Sequence, residues 1–325
     1  MNILFCSVGR RAELLKCFRK SMKENSKIVA TDMSKYAPAL YFADKYYLVP
    51  SINSDGYIDI ILDICKKEQI EVITTVIDPE IELLSKHRAE FEKIGVEVLL
   101  PYYETALVCF DKMKTYEFFN ERNINTVPTY GTLDDAMEAL NKKELDFPVF
   151  VKPRTGSGSV GAHKVFDVET LTKELNADKS LIVQKLMAGQ DIDADVYIDT
   201  VSHKPVSIFT KLKLETKIGG ANKTISFIDQ ELVDFIMEAL KDLKFNGPID
   251  IDFFKVDGQY YISEINPRFG GAYLHAYGAG VDFINLIDNN INSIENNECF
   301  NNYKENIAML MYDSVVITEI DNEDN

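Results

Sequence analysis

Two stretches of the sequence carry the residue types best suited to chemistry. The first is a glycine-rich loop at 154–161, which follows an apolar run ending in Lys152. The second, Glu-Ile-Asn-Pro-Arg, ends another strand-like run and spaces Glu264, Asn266 and Arg268 at alternate positions. Alternate residues of a strand share a face, so we expect these three side chains to lie together. Loop N–H groups and a lysine suit phosphate, and carboxylate and amide oxygens suit Mg²⁺, which predicts an enzyme that uses ATP.

The glycine loop contains the pattern G-x-G-x-x-G. Its candidate phosphate-binding residues are Gly156, Ser157, Gly158, Ser159 and Gly161. A dinucleotide-binding fold requires a helix directly after such a loop, whereas the residues that follow here form a strand-like pattern. We therefore predict a lid between two antiparallel strands that folds over nucleotide phosphates. A plain flexible hairpin is the alternative, and the lysine at the base of the loop favours the lid.

Two further features support a nucleotide site. Lys112 and Lys152 flank the glycine loop in the sequence and together predict a phosphate clamp. Asp252 lies on a core strand that an Asp-Gly turn folds back onto the Glu264 strand. Burying carboxylates that share a face is costly unless a cation compensates, so Mg²⁺ is the expected partner. Asp250 precedes Asp252 on the same face and is expected to face solvent.

Composition limits the class of protein. The 325 residues allow two or three domains, and a hydrophobic fraction of 46% supports a substantial core. A net charge of −17 argues against nonspecific binding to nucleic acid or anionic membrane. The five scattered cysteines are typical of reduced thiols in the cytoplasm. The N-terminal apolar run predicts a strand and not a signal peptide, and no run is long enough for a membrane helix.

The order of strand-like and helical runs predicts an α/β protein. Alternation of the two over residues 1–108 indicates a parallel, doubly wound sheet. Ligands of such sheets bind beyond the carboxyl ends of the strands, here at Ser7–Arg11, Asp32 and Asp78–Glu80. We also expect a helix over about 11–25 and a late strand over 309–317.

The motifs occur in an order that resembles the ATP-grasp superfamily. The resemblance rests on Lys112, Val-Lys-Pro before the glycine loop, Gln184–Asp191, Asp252 and Glu-Ile-Asn-Pro-Arg. More narrowly, the chain is similar to stand-alone proteins related to the carbamoyl-phosphate synthase large subunit. The resemblance runs nearly end to end, from Ser7–Arg11 to Tyr277–Gly280. Its motifs are highly specific for ATP-grasp and poorly specific for substrate.

The resemblance implies an ATP-grasp fold, α+β in its C-terminal part, preceded by a Rossmann-like preATP-grasp domain. The expected segments are the preATP-grasp domain at 1–108, a lid-bearing central subdomain at 109–185, a C-terminal subdomain at 186–318 and an acidic tail at 319–325. ATP would lie between the central and C-terminal subdomains.

The resemblance also implies a role for each motif. Lys112 and Lys152 would hold the phosphates, the backbone at Leu186 and Met187 would meet adenine, Gln184 would lie nearby, and Asp191 would bind ribose. Asp252, Glu264 and Asn266 would form a site for two Mg²⁺ ions, with Mn²⁺ as a substitute. Arg268 would act with Lys152 on the transferring phosphoryl group.

The expected reaction is ATP-dependent ligation of a small carboxylate, such as an amino acid, to an amine. It would proceed through an acyl-phosphate and release ADP and phosphate. Three alternatives remain open: a carboxylate or carbamate kinase, a non-catalytic ATP-binding module, and an NAD-dependent oxidoreductase. The last is disfavoured because Gly9 lacks the partner glycines that bind a pyrophosphate. A homodimer also remains open.

The substrate is expected at the side of the cleft that faces the N-terminal domain. The candidate substrate residues are Arg10, Arg11 and Glu80 on one side, and Gly270 and Gly271 beside Arg268 on the other. Lys211 and Lys213 are an alternative location for the acceptor, where relatives often carry arginines.

Overall fold

The computed structural model describes residues 1–156, 158, 160–217 and 220–320. Ser157 and Ser159, which the sequence predicts as phosphate ligands, and residues 321–325 of the acidic tail therefore lie outside the described residues. Within the described residues, the strands form three sheets. No helix there is long and apolar enough to cross a membrane.

The N-terminal part forms a parallel sheet in the order β3-β2-β1-β4-β5. Its elements are β1 (Asn2–Cys6), α1 (Ala12–Ser21), β2 (Lys27–Asp32), a 3₁₀ helix (Pro38–Phe42), β3 (Lys45–Leu48), α2 (Tyr57–Glu68), β4 (Val72–Thr75), α3 (Asp78–Lys86), α4 (Arg88–Lys93) and β5 (Glu97–Val98). The central strands are continuously apolar because hydrophobic clusters cover both faces of the sheet. The predicted parallel sheet is confirmed.

A second, four-stranded sheet carries the glycine loop. Its segment contains α5 (Tyr103–Phe110), α6 (Lys112–Glu121), β6 (Thr129–Tyr130), α7 (Leu133–Asn141), β7 (Val149–Pro153), β8 (His163–Val165), α8 (Val168–Ala177) and β9 (Leu181–Lys185). The strand order is β6-β9-β7-β8, and β7 pairs with β8 antiparallel. The glycine loop therefore joins two antiparallel strands, as predicted.

The third sheet belongs to the C-terminal part. It includes β10 (Gln190–Ile198), β11 (Pro205–Lys217), β12 (Gly220–Ser226), β13 (Gly247–Val256), β14 (Gln259–Asn266), β15 (Cys299–Phe300) and β16 (Ala308–Leu310), with helices α9 (Gln230–Leu240), α10 (Tyr273–Gly278) and α11 (Phe283–Ile291). Its order is β14-β13-β10-β11-β12-β16, and β15 pairs with β11. The β13–β14 hairpin turns at Asp257 and Gly258, which have φ of 49° and 81°. This confirms the predicted Asp-Gly hairpin.

Two predicted elements are longer than those observed. The first helix begins at Ala12 and ends at Ser21, where the chain becomes extended at Met22. The late strand is limited to Ala308–Leu310, because only these residues pair with β12. The domain boundaries expected from the sequence stay a prediction.

Candidate active site

A cleft of about 500 Å³ is lined by residues of the second and third sheets and by residues outside the strands of the N-terminal part. Lys152 lines it from β7, Leu186 and Met187 line it from the β9–β10 connection, and Glu264 lines it from β14. Arg11 contributes its side chain from the N-terminal part. A volume of this size is typical of small-molecule sites. The fold thus brings residues from several predicted motifs to one cavity.

Lys112 and Lys152 are both buried at the base of the glycine loop. Lys152 lies on β7, and burial lowers its pKa although Glu264 opposes the shift. Lys112 begins α6, where Asp111 caps two backbone N–H groups of the first turn. The Lys112 Nζ donates to the Gly156 carbonyl at 2.6 Å. Two buried lysine side chains therefore lie beside the loop, and the phosphate clamp that they predict stays a prediction.

Three glycines of the loop have backbone angles that favour glycine. Gly156, Gly158 and Gly161 have φ of 105°, 68° and 77°, a region that other residues rarely adopt. Arg154 anchors the start of the loop, because its Nε donates to both carboxylate oxygens of Asp111 at 2.7 and 2.9 Å. The loop is thereby tied to the helix that carries the first lysine.

The β9–β10 connection forms another wall of the cleft. Gln184 is buried and donates to the Thr129 hydroxyl at 2.8 Å, while Leu186 and Met187 line the cavity. The chain then passes β13 so closely that a Cβ at Gly189 would lie 2.2 Å from the Lys255 carbonyl oxygen. This close approach requires glycine and fixes the path of the connection.

The predicted metal ligands lie on the β13–β14 hairpin. Asp252 and Glu264 are register partners, and directly opposite residues of an antiparallel pair have Cβ atoms within about 5.5 Å. The Asn266 Nδ2 lies 3.3 Å from an Asp252 oxygen, and all three residues line the cleft. Burial raises the pKa of Glu264, which two nearby lysines only partly oppose. A cation bound by the side-chain oxygens of these three residues would offset the cost of burying the Glu264 charge, so the residues fit Mg²⁺.

A second carboxylate cluster lies beside these ligands. One oxygen of each of Asp193, Asp195 and Asp250 lies within 4.8 Å of the others. The fully buried Lys211 ammonium lies 2.9 Å from Asp193 and 2.5 Å from Asp195, and so supplies the cation. The expectation that Lys211 contacts substrate is corrected, because the structure does not bring its side chain to the cleft.

Asp250 does not face solvent, contrary to expectation. Only 7% of the residue is exposed, because the chain at Gly270 packs against its carboxylate and the side chains of Asp193 and Asp195 lie beside it. Burial and then Asp193 raise the pKa of Asp250 well above its ordinary range. A Cβ at Gly270 would lie 2.5 Å from the Asp250 Oδ1, so the predicted substrate residue Gly270 is better explained by close packing.

The side chain of Arg268 is bound by a residue of the N-terminal part of the chain. Its Nε and a terminal nitrogen donate to the two oxygens of Asp78 at 2.7 and 3.3 Å. Burial opposes the charge of Arg268, but Asp78 outweighs this effect and raises the pKa of the guanidinium. Arg268 also lines the cleft beside Asn266. The predicted catalytic arginine therefore reaches the cavity with a fixed orientation.

The remaining substrate candidates separate into two groups. Arg11 lines the cleft near Gly271 and donates to the Phe269 and Gly270 carbonyls at 2.9 and 2.6 Å. Burial, and then Arg268, lower the pKa of Arg11 to about 10. Arg10, in contrast, is exposed and is not among the residues that line the cleft.

Glu80 was expected on the rim of the cleft and is instead fully buried. Its carboxylate accepts from the Tyr57 hydroxyl and, at 2.6 Å, from the Thr75 hydroxyl. Both oxygens are thus taken by protein donors inside the N-terminal part, which corrects the expectation of a substrate contact.

Sequence reasoning missed the roles of Asp193 and Asp195. A signal was present, because Asp191, Asp193 and Asp195 alternate along one strand and must share a face. Asp78 was recognised only as a residue at a strand end, since no local pattern identifies its partner.

Fold and site define an α/β protein with a cleft beside a glycine-rich loop. Residues 109–272 match the family described as ATP-grasp domain, and residues 3–99 match the family described as PylC-like, N-terminal domain. The chain belongs to the ATP-grasp family. The predicted fold class and the resemblance to the ATP-grasp superfamily are thereby confirmed.

Individual relatives are more distant. The D-alanine–D-alanine ligase of Ruminiclostridium cellulolyticum is 28% identical over 198 residues, which cover 53% of this chain and 51% of that protein. The match thus spans about half the length of that relative.

Solved structures share the fold at low identity. The biotin carboxylase domain dimer of Hydrogenobacter thermophilus 2-oxoglutarate carboxylase, solved with MgADP, ADP and bicarbonate, has a TM-score of 0.73 and 16% identity, covering 94% of this chain and 73% of that one. The L-amino acid ligase of Bacillus licheniformis has a TM-score of 0.68 and 16% identity, covering 91% and 75%.

Proposed function

We propose that this protein is an ATP-dependent ligase that joins a small carboxylate to an amine. The observation that carries the proposal is the convergence of Lys152, Glu264 and Arg268 on one cleft, with Arg268 fixed by Asp78. A buried lysine and an arginine beside a metal-binding carboxylate suit the transfer of a phosphoryl group. Membership of the ATP-grasp family supports the same reaction.

The reaction has two balanced steps. A carboxylate oxygen of the substrate attacks the γ-phosphorus of ATP, the bond to the bridging oxygen breaks, and ADP leaves. The amine nitrogen then attacks the acyl carbon, phosphate leaves with the former carboxylate oxygen, and the nitrogen loses a proton. Phosphorylation is needed because the carboxylate otherwise has no adequate leaving group. A closed lid excludes the water that would hydrolyse the acyl-phosphate.

The proposal assigns a role to each residue predicted to bind ATP or metal or to act in phosphoryl transfer. Lys112 and Lys152 bind phosphates with the glycine loop, the backbone at Leu186 and Met187 meets adenine beside Gln184, Asp191 binds ribose, and Asp252, Glu264 and Asn266 hold Mg²⁺ at up to two positions. Mn²⁺ is a suitable substitute, since it accepts the same oxygen ligands. The metal, when bound, neutralises charge on the phosphates. Arg268 stabilises the transferring phosphoryl group.

An amino acid or a similar molecule is the proposed carboxylate substrate. The relatives named for D-alanine and for L-amino acids support this class. Arg11 remains the proposed substrate residue of the N-terminal part, since its guanidinium reaches the cleft beside Gly271. We also propose that the protein works in the cytoplasm as a homodimer, a state that light scattering on the purified protein would test.

A pooled amino-acid screen tests the function. Pools are incubated with Mg²⁺ and ATP, and ADP release and product mass are measured. The expected result is amine-dependent ADP release with a product lighter than its two substrates by one water. Glu264→Ala should lower the rate by about 100-fold or more. A stable phosphorylated product formed without amine would identify a kinase instead, and ATP binding without turnover across all pools would identify a non-catalytic module.

A further inference from the structure

Lys213 lies between two carboxylates of the cleft. It is on β11, and its Nζ reaches past β10 to contact Asp252 on β13 and lies 2.9 Å from Asp191. Only 10% of its side chain is exposed. Lys213 is therefore a charged group that the carboxylates hold in place.

The contacts of Lys213 fall on the atoms that bound ligands would need. Asp252 is a proposed metal ligand, yet one of its oxygens contacts Lys213 and the other lies 3.3 Å from the Asn266 amide nitrogen. Asp191 is the proposed ribose ligand, and Lys213 also occupies one of its oxygens. One ammonium group thus occupies part of both proposed sites.

We propose that Lys213 is an internal counter-ion that takes the place of the metal at Asp252, so that a divalent cation binds weakly until nucleotide binds with it. This inference rests on the proposed function, because it assumes that Asp252 binds metal. A cation that enters alone must displace a buried ammonium from one of its two carboxylate partners, which is costly. Nucleotide phosphates bring several negative charges into the same cleft and give the displaced ammonium a partner.

The proposal predicts that Lys213 makes the affinity for metal depend on whether nucleotide is bound. When two ligands both bind best with a side chain displaced, each one increases the affinity for the other by the same factor. Removing the ammonium should therefore strengthen the binding of metal alone. It should also reduce the factor by which nucleotide improves metal affinity.

Mn²⁺ titration of the full chain without nucleotide tests the proposal, read by calorimetry and by the electron paramagnetic resonance of free Mn²⁺. Lys213→Met keeps the length of the side chain and removes its charge. We expect it to bind Mn²⁺ at least tenfold more tightly than wild type. Lys223→Met, which breaks the exposed pair with Glu215 on neighbouring strands, is the matched control and should bind as wild type does. Equal or weaker Mn²⁺ binding by Lys213→Met overturns the proposal.

Two additional measurements keep the result interpretable. If Lys213→Met is unstable, Lys213→Gln is tested in the same way, and its melting temperature should rise with Mn²⁺ more than that of wild type. A smaller or equal rise overturns the proposal. The double variant Lys213→Met/Asp252→Asn should lose the tight Mn²⁺ binding. If it retains that binding, the metal lies elsewhere, and the metal site of the proposed function fails together with this inference.

Discussion

Arg268 and Asp78 form a two-point contact across 190 residues of sequence, with one N–H···O distance of 2.7 Å and another of 3.3 Å. Their side chains are 14% and 13% exposed. Asp78 begins α3 of the N-terminal part, whereas Arg268 follows β14 of the C-terminal part. The orientation of the proposed catalytic guanidinium therefore depends on a residue outside the ATP-grasp match at 109–272.

Replacing Asp78 should impair catalysis more than binding. Asp78→Asn keeps the shape of the side chain but removes the charge that orients Arg268. A misplaced catalytic group costs about 100-fold in rate, so kcat should fall by about that factor while KM for ATP stays within about threefold. Steady-state kinetics would measure both. Glu82→Gln, which neutralises another acid on α3, is the control. An unchanged kcat in Asp78→Asn would contradict a positioning role.

Replacing Lys211 should destabilise the fold without a specific effect on substrate affinity. Lys211→Met leaves the buried Asp193 and Asp195 without their cation, and breaking such a buried pair costs about 3–5 kcal/mol. Denaturant unfolding would show the loss. Lys223→Met removes an exposed pair and should cost less than about 1 kcal/mol. Normal stability with a raised KM for the acceptor would return Lys211 to the substrate site.

Local signals in the sequence were sufficient for much of the fold. The β13–β14 hairpin was predictable because Asp257-Gly258 accepts positive φ at both positions, and the first parallel strands were predictable from continuous apolar runs. The late strand was overestimated because its apolar residues have β propensity, whereas pairing with β12 ends at Leu310. Propensity alone does not tell where a partner strand ends.

Residue spacing alone predicted that side chains lie together only where they share one element, and the other site residues were assigned from the ATP-grasp resemblance. Glu264 and Asn266 followed from alternation along a single strand. Asp250 was placed wrongly because its burial depends on β10, which pairs with its strand from a distant part of the sequence. Asp78 and Glu80 illustrate the same limit, since two acids in one helical turn point to different partners, and only Asp78 meets Arg268. Contacts between residues that are far apart in the sequence depend on how the separate sheets pack against each other.

Adding a methyl group at Gly189 should disturb the wall of the nucleotide cleft. The Cβ of Gly189→Ala would lie 2.2 Å from the Lys255 carbonyl oxygen, so the backbone must shift. Overpacking of this kind costs about 1–3 kcal/mol. Because Leu186 and Met187 lie just before this point, affinity for a non-hydrolysable ATP analogue should fall severalfold by calorimetry. Gly278→Ala, where a Cβ meets nothing within 4 Å, is the control. Wild-type stability and nucleotide affinity in Gly189→Ala would contradict the requirement for glycine.

The last prediction concerns Asp199, a fully buried carboxylate at the end of β10. Burial alone would raise its pKa, but hydrogen bonds from Asn290, the Ser202 backbone and Asn296 lower the pKa to about 2. The unfolded value is about 3.9, so the folded state favours the ionised form by about 2–3 kcal/mol. This stabilisation is complete above the unfolded pKa and is lost as the pH falls through the folded pKa.

Asp199→Asn should therefore make the free energy of unfolding depend less on pH in the acidic range. The amide cannot titrate, and it also loses part of the hydrogen-bonding network, so the variant should be less stable than wild type at neutral pH. Between about pH 6 and pH 3, wild type should lose about 1 kcal/mol more free energy of unfolding than the variant, since this range passes through the unfolded pKa and ends above the folded pKa. Urea unfolding at a series of pH values would measure both curves. Parallel curves would mean that Asp199 has the same pKa in both states and that its hydrogen bonds do not stabilise the charge.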